Sequence, residues 1–150
     1  MSQSLAKNLI HLTFSVKDRR PLIRDEERSQ LHAYALGILA NCDSPSLETN
    51  SVRDHAHVLF LLSRTWALAQ VVKELKGSTS RWLREHGEWY KDFHWQGGYA
   101  AFSVSESQVE RVRTYIRGQR EHHAKTGFQD ELRALLNRHH IDYDERYLWD

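Results

Sequence analysis

The hydrophobic positions of the chain repeat with two different periods, which predicts a fold that mixes strands and helices. Residues 8–16 place β-branched and aromatic residues in loose alternation with polar ones, a pattern typical of a strand. Residues 25–40 repeat apolar side chains at helical spacing. Residues 47–53 form a weak, polar strand candidate. His55–Leu62 is short and almost wholly apolar after its histidines, which predicts a central strand buried on both faces.

The second half of the chain repeats this alternation of helix and strand. Apolar spacing predicts a helix from about residue 65, and the small residues 77–80 are expected to interrupt it. A strand is predicted over residues 99–104. A helix is then predicted over residues 105–125, and Ser105 with the glutamine three residues later is expected to form a capping box at its start.

The order of the predicted elements is strand, helix, strand, strand, helix, strand, helix. This is the ferredoxin-like split βαβ arrangement, so we predict an α+β fold with an antiparallel sheet and an added C-terminal helix. A chain of 150 residues is long enough for one hydrophobic core, and residues 1–150 are expected to form a single domain. Residues 126–150 hold six acidic and three basic side chains and are interpreted as an acidic C-terminal tail.

Composition excludes several classes of protein. Hydrophobic residues make up 40% and charged residues 27% of the chain, which is typical of a globular protein. The single cysteine, Cys42, excludes a disulfide framework and a cysteine-rich zinc module, and it fits a reducing compartment. The apolar runs are too short to span a bilayer, and polar residues within residues 1–16 do not fit a signal peptide. We therefore expect a cytoplasmic protein without a membrane partner.

The distribution of charge is more informative than the net charge of +1. Residues 64–91 hold six basic and three acidic side chains, and residues 105–125 hold five and three. A basic body with an acidic tail is compatible with phosphate binding, although solvated helix faces give the same pattern.

Two pairs of residues are candidates for chemistry. His55 and His57 leave the same face of their strand about 7 Å apart at Cα, close enough to bind one metal ion, although two histidines there could also simply cap a sheet edge. Tyr115 and Gln119 are four residues apart and share one face of the predicted helix. Taken alone, that pair could equally be a core aromatic and a polar residue at the rim of the core.

Considered together, the two pairs indicate a metal-assisted reaction at phosphorus. Two neutral imidazoles and the amide oxygen of Gln119 would leave a divalent cation short of anionic ligands, and a phosphodiester oxygen would complete the site. Tyr115 would then be close enough to attack the phosphorus, because a nearby cation favours the phenolate of a phenol whose usual pKa is near 10. His122 and His123 could reach the same site, but we interpret them as solvent-exposed or phosphate-contacting.

Five short motifs occur along the chain in a fixed order. They are residues 11–23 (HLTFSVKDRRPLI), 54–61 (DHAHVLFL), 75–83 (LKGSTSRWL), 94–104 (HWQGGYAAFSV) and 115–119 (YIRGQ). In these motifs the chain resembles the single-tyrosine HUH transposases of the insertion-sequence 200/605 type, which include the REP-associated tyrosine transposases. The fold of that family is the ferredoxin-like one predicted above.

The resemblance implies a metal-dependent enzyme that cuts and rejoins single-stranded DNA next to hairpins. Tyr115, on the catalytic helix, would form a 5′-phosphotyrosine link and release a 3′-hydroxyl, with Mg²⁺ or Mn²⁺ held by His55, His57 and Gln119. The resemblance also implies a prokaryotic, nucleoid-associated homodimer in which the catalytic helix of one chain reaches the histidines of the other. Gly118 lies inside this catalytic helix, where glycine is about 1 kcal/mol less favourable than a good helix-forming residue.

Three alternatives remain open from the sequence. A domesticated relative would cut hairpin repeats without mobilising its own gene. A non-catalytic RNA- or single-stranded-DNA-binding module can use the same fold, but it needs stacking aromatics where this chain has His55 and His57. A metal phosphoesterase would use water as the nucleophile, and Tyr115 would then be structural.

Overall fold

The computed structural model describes residues 2–150 and contains a four-stranded antiparallel sheet. The strands are β1 (Asn8–Ser15), β2 (Ser46–Ser51), β3 (His55–Leu62) and β4 (Ala100–Val104). Their spatial order is β2-β3-β1-β4, and every neighbouring pair is antiparallel. The predicted α+β fold with a ferredoxin-like sheet is therefore confirmed.

Helices cover both faces of this sheet. They are α1 (Asp25–Asn41), α2 (Leu68–Arg84), α3 (Val109–Arg117), α4 (Gln119–His123) and α5 (Phe128–Arg138). The first two pack together on one face, whereas α3 and α5 cover the other. Within residues 2–150, no helix combines the length and the apolar character that crossing a membrane requires.

Side chains alternate between the two faces along β1 and β3. Even-numbered residues of both strands point toward α1 and α2, and the central ones, among them Leu12 and Phe60, are fully buried in the main apolar core. Odd-numbered residues point toward α3 and α5, where Leu9 and Leu59 form a small apolar cluster with α3 and His11, His55 and His57 are buried as well. The prediction that β3 is buried on both faces is confirmed.

The small residues at positions 77–80 do not interrupt α2, so that prediction is wrong. The hydroxyl of Thr79 donates to the backbone oxygen of Leu75 (2.6 Å), and the hydroxyl of Ser80 donates to that of Gly77 (3.1 Å). These bonds run back along the helix and satisfy the hydroxyls inside it. The segment therefore continues as helix through Arg84.

The helix predicted over residues 105–125 is divided, which corrects both its extent and its start. In the described chain, Ser105 Oγ bonds to Ser107 Oγ (3.1 Å) instead of capping the helix, and a 3-10 turn precedes α3. The helix then breaks at Gly118, whose φ of −84° and ψ of 12° separate α3 from α4. A Cβ at this position would lie 3.4 Å from the backbone oxygen of Thr114.

The stretch interpreted as an acidic tail contains helix α5. Its apolar residues form a second small core against Phe102 of β4. The buried members on α5 are Phe128, Leu132, Leu135 and Leu136. An ion pair between Arg133 and Glu145 joins α5 to the residues that follow it. Helix α5 is thereby held over the same face of the sheet as the buried histidines.

Candidate metal centre and tyrosine

The four candidate residues from the sequence come together within one chain. His55 and His57 lie on β3, and both are fully buried. Gln119, at the start of α4, brings its amide oxygen to 3.2 Å from His55 Nε2. The ring of Tyr115 on α3 stands edge-on to that of His57, with 5.7 Å between ring centroids. The helix break between Tyr115 and Gln119 leaves both side chains facing the histidines.

Both histidines of β3 are oriented through their Nδ1 atoms. His55 Nδ1 donates to Asp54 Oδ1 (2.7 Å), and a hydrogen bond of 2.8 Å joins His57 Nδ1 to His11 Nε2. Metal-binding histidines typically use one ring nitrogen for such a contact, which fixes the direction of the other. The Nε2 atoms of both rings consequently face the same point between β3, α4 and α5.

Glu131 of α5 occupies that point, and sequence reasoning missed it. Its Oε1 atom lies 2.8 Å from His57 Nε2 and 3.4 Å from His55 Nε2. Its Oε2 atom accepts hydrogen bonds from the hydroxyl of Tyr115 and from Gln119 Nε2, the latter at 3.1 Å. Only 3% of Glu131 is exposed. One carboxylate therefore contacts the tyrosine, the glutamine and both histidines.

Two further histidines of α4 lie against this carboxylate. His122 Nε2 and His123 Nε2 are 3.2 Å and 3.1 Å from Glu131 Oε2. Their side chains are 35% and 12% exposed, so the interpretation of His123 as a solvent-exposed residue is wrong. Across residues 2–150, these Nε2 atoms are among the few buried side-chain nitrogens that make no hydrogen bond.

The contacts set the charges within the cluster. Burial would raise the pKa of Glu131, but its contacts with His123, His55 and His57 outweigh burial and hold that pKa far below the usual range. Burial would also lower the pKa of His55, yet the carboxylates of Asp54 and Glu131 raise it to about 9. Without a metal ion the cluster therefore pairs an ionised Glu131 with a protonated His55, and a metal ion bound at His55 Nε2 would displace that proton.

The neighbouring groups stay neutral. Burial lowers the pKa of His57 and outweighs the attraction of Glu131. Burial, with a contribution from the charge that His57 would carry, lowers the pKa of His11 to about 3. Burial and the negative charge of Glu131 both raise the pKa of Tyr115 above its usual value, so its phenol keeps its proton.

The donor atoms of the cluster suit a divalent cation. His55, His57, His123 and Glu131 each offer one ligand atom, and these four atoms lie within 4.8 Å of one another. The amide oxygen of Gln119 borders the same space. Imidazole nitrogens with one or two oxygens are donors that Mn²⁺, Zn²⁺ and similar ions accept. The residues present thus fit the kind of metal ion that the sequence predicts.

Two grooves flank the cluster, and both are lined by arginines. A groove of about 670 Å³ borders Tyr115 and contains Arg111 and Arg138. A second, of about 380 Å³, lies beside Asp54 and His123. Its arginines are Arg28, Arg53 and Arg120. Asp25 also lines the second groove and pairs with Arg28 and Arg120. Arginines on both sides of the cluster are nevertheless suitable contacts for an extended anionic ligand.

Comparison with known proteins places these features in a family. Residues 4–119 match the family model described as "Transposase IS200 like", a segment that contains Tyr115, Gln119 and both histidines of β3. A comparison with curated proteins gave no match.

Two solved structures share the fold. A crystal structure from Deinococcus radiodurans R1, provisionally assigned as a transposase, has a TM-score of 0.62 and 21% identity, covering 79% of this chain and 98% of its own. A REP-associated tyrosine transposase bound to a REP hairpin has a TM-score of 0.62 and 14% identity, covering 84% of this chain and 76% of its own. Because the family match spans most of the chain, this protein belongs to the IS200-like transposase family.

Proposed function

We propose that this transposase cuts and rejoins single-stranded DNA next to hairpins through a 5′-phosphotyrosine intermediate at Tyr115. The observation that carries the proposal is the convergence on one carboxylate. The hydroxyl of Tyr115 and the Nε2 atoms of His55 and His57 all contact Glu131. A phosphate group in the place of that carboxylate would meet the nucleophile and the metal donors at the same time.

His55, His57 and Gln119 are the residues that we propose hold Mg²⁺ or Mn²⁺. Such an ion would polarise the phosphodiester and favour the phenolate of Tyr115. The contacts of Asp54 and His11 would keep the two imidazoles pointed at the ion.

Tyr115 is the proposed nucleophile. Its Oη atom would form a bond to phosphorus while the bond from phosphorus to O3′ breaks, and O3′ would leave as a 3′-hydroxyl after taking up a proton. Because the number of phosphoester bonds is unchanged, a second 3′-hydroxyl could attack the phosphotyrosine and rejoin the strand. The hydroxyl proton of Tyr115 stays on the phenol in the DNA-free protein, in a hydrogen bond to Glu131 Oε2, and its loss during attack would balance the proton that O3′ takes up.

The two grooves support DNA as the substrate. A single strand that runs from one groove to the other passes the cluster, with arginines beside its phosphates on both sides. Helix α5 covers the cluster between the grooves, so we propose that α5 moves when DNA enters. A hairpin beside the cleaved strand is supported by the solved relative that binds a REP hairpin. We further propose that the protein acts as a homodimer on DNA in the cytoplasm, in association with the nucleoid.

The test is capture of the covalent adduct. Hairpin oligonucleotides from the DNA that flanks the gene are incubated with the protein and Mg²⁺ or Mn²⁺, and a denaturing gel detects protein-linked DNA. We expect an adduct with the wild type and none with Tyr115→Phe, which removes one oxygen and should leave hairpin binding nearly intact. Tyr147→Phe is the matched control, because Tyr147 is 66% exposed.

Each other outcome has a definite meaning. A protease-sensitive protein–DNA link in Tyr115→Phe contradicts the role of Tyr115 as nucleophile. Cleavage without any link, in both the wild type and this variant, indicates a phosphoesterase that uses water. Hairpin binding by the wild type with no cleavage under either metal indicates a binding module.

A further inference from the structure

We infer that Glu131 and His123 complete, with His55 and His57, a four-ligand transition-metal site in the DNA-free protein. In this arrangement the carboxylate of Glu131 holds the coordination position that a phosphodiester oxygen takes when DNA binds. Only that second statement rests on the proposed function. The four-ligand site itself rests on the contacts within the chain.

The separations of the donor atoms support the site. Metal–ligand bonds of about 2.1 Å in a tetrahedral site place neighbouring ligand atoms about 3.4 Å apart. Glu131 Oε1 is 3.4 Å from His55 Nε2 and 2.8 Å from His57 Nε2, and Glu131 Oε2 is 3.1 Å from His123 Nε2, so the donors lie at or slightly inside that separation. All four donors lie within 4.8 Å of one another. Small side-chain rotations are therefore enough to bring them around one ion.

The second observation is the state of His123. In the part of the chain that the structure describes, its Nε2 atom is buried and makes no hydrogen bond, although it points at the cluster. Its nearest acceptor, Glu131 Oε2 at 3.1 Å, is not aligned for a hydrogen bond, and buried polar atoms are usually better satisfied than this. A metal ion bound to both residues would satisfy the nitrogen and the carboxylate together. His122 has a similar orphan nitrogen, but its side chain is 35% exposed and lies farther out.

Charge distinguishes this site from one built only of the family's neutral ligands. His55, His57 and Gln119 carry no negative charge as ligands. A site built from them alone would bind a metal ion weakly until the phosphate of DNA supplied the negative charge. Glu131 supplies the missing anion from α5, and it is 3% exposed. Three imidazoles with one carboxylate favour Mn²⁺, Co²⁺ or Zn²⁺ over Mg²⁺, which prefers oxygen ligands and retained waters.

Titration of metal into the DNA-free protein tests the inference. Metal-stripped, full-length protein is titrated with Mn²⁺ by calorimetry, and the wild type is expected to bind one ion. Glu131→Gln and His123→Gln should each weaken this binding at least about tenfold, because even the partners of metal ligands contribute about that much. Glu121→Gln on α4 removes the same charge from an exposed side chain and should bind as the wild type does.

A spectrum of the wild type gives a readout that needs no variant. Co²⁺ bound to the DNA-free protein should show the intense visible absorption of four-coordinate cobalt, and Mg²⁺ should compete for it only weakly. If a glutamine variant fails to fold, as judged by circular dichroism, the cobalt spectrum of the wild type is the test of the four-ligand site. A wild type that takes up Mn²⁺ or Co²⁺ only after hairpin DNA is added overturns the inference. Binding that Glu131→Gln leaves unchanged overturns it as well.

Failure of this inference is distinguishable from failure of the proposed function. If the wild type forms the adduct and Glu131→Gln binds metal as tightly as the wild type, the tyrosine chemistry stands and the four-ligand site does not exist. Glu131-dependent metal binding by a protein that forms no adduct would have the opposite meaning.

Discussion

The two faces of the sheet are built from alternate residues of the same strands, yet they differ in what they bury. Under α1 and α2, Leu12, Val58 and Phe60 pack into an apolar core. Under α3 and α5, the neighbouring positions bury His57 and His11 around the carboxylate of Glu131. One residue step along a strand separates a hydrocarbon environment from an ionic one.

This difference indicates how the fold divides its tasks. Burying charged groups is costly unless each finds partners, and a buried ion pair often adds little net stability. Burying apolar side chains stabilises the fold by about 1.5–3 kcal/mol for each large residue. The apolar face therefore supplies the stability with which the polar face can hold a desolvated cluster ready for chemistry.

The largest expected effect is a loss of stability from the apolar face. Phe60 is fully buried, so Phe60→Ala should lower the free energy of unfolding by about 3–5 kcal/mol, because the side chain leaves a cavity that the core cannot fill. Urea denaturation measures the loss, and adduct formation should persist at a temperature where the variant is folded. Leu61→Ala, at a half-buried position of the same strand, serves as the milder comparison. A loss below about 1 kcal/mol for Phe60→Ala would contradict the division between the faces.

A substitution on the polar face should reduce cleavage and leave the protein folded. His57→Ala removes a proposed metal ligand and should reduce metal-dependent cleavage by more than about a hundredfold, since outer partners of ligands already contribute up to that factor. The adduct assay measures this loss, and circular dichroism should show a folded protein. Cleavage at the wild-type rate would remove His57 from the proposed ligand set.

A third prediction asks whether the polar face is complete in one chain. Tyr115 already lies beside His57 of the same chain, so a mixture of Tyr115→Phe and His57→Ala proteins should stay inactive. The resemblance to single-tyrosine HUH transposases implies the contrary, a site shared between two chains. In that case random pairing would make up to about half of the dimers mixed, each with one intact site. Recovered adduct formation after subunit exchange, verified by mass, would establish the shared arrangement.

The smallest expected effect concerns pH and lies on the apolar side. Burial, with a contribution from Arg28, lowers the pKa of His32 to about 4, while its ring nitrogen contacts Ser51 Oγ at 2.8 Å. Between pH 6.5 and about 4 the unfolded chain binds a proton at this position and the folded chain does not. Stability should therefore fall as pH falls through this window, by at most about 1.4 kcal/mol per pH unit from this group. Urea denaturation at pH 7 and pH 5 should show a shallower dependence for His32→Gln, and an unchanged dependence would exclude His32 as a contributor.

Local periodicity was enough to predict the central parts of the site. Alternation along β3 places His55 and His57 on one face, and the spacing of four residues brings Tyr115 and Gln119 together even across the break at Gly118. These relations depend only on the geometry of a strand and of a helix, which explains why the sequence was sufficient for them.

The rest depended on contacts between distant segments. The role of His11 follows from the pairing of β1 with β3, which a single sequence does not specify. Glu131 does not stand out in the sequence, because the net charge of residues 126–150 predicts only an acidic tail. The apolar residues Phe128 and Leu132, with two further leucines at helical spacing, were the signal that a packed helix lay there.

The alternation along β3 has a consequence for folding errors. Side chains repeat every two residues, so a slip of β3 by one residue against β1 would turn the histidines toward α1 and α2 and the core residues toward α3. Such a misfolded chain would lose its stabilising core and its reactive cluster together. A single error in strand pairing would therefore remove the proposed DNA-cleaving site and the stability of the fold at the same time.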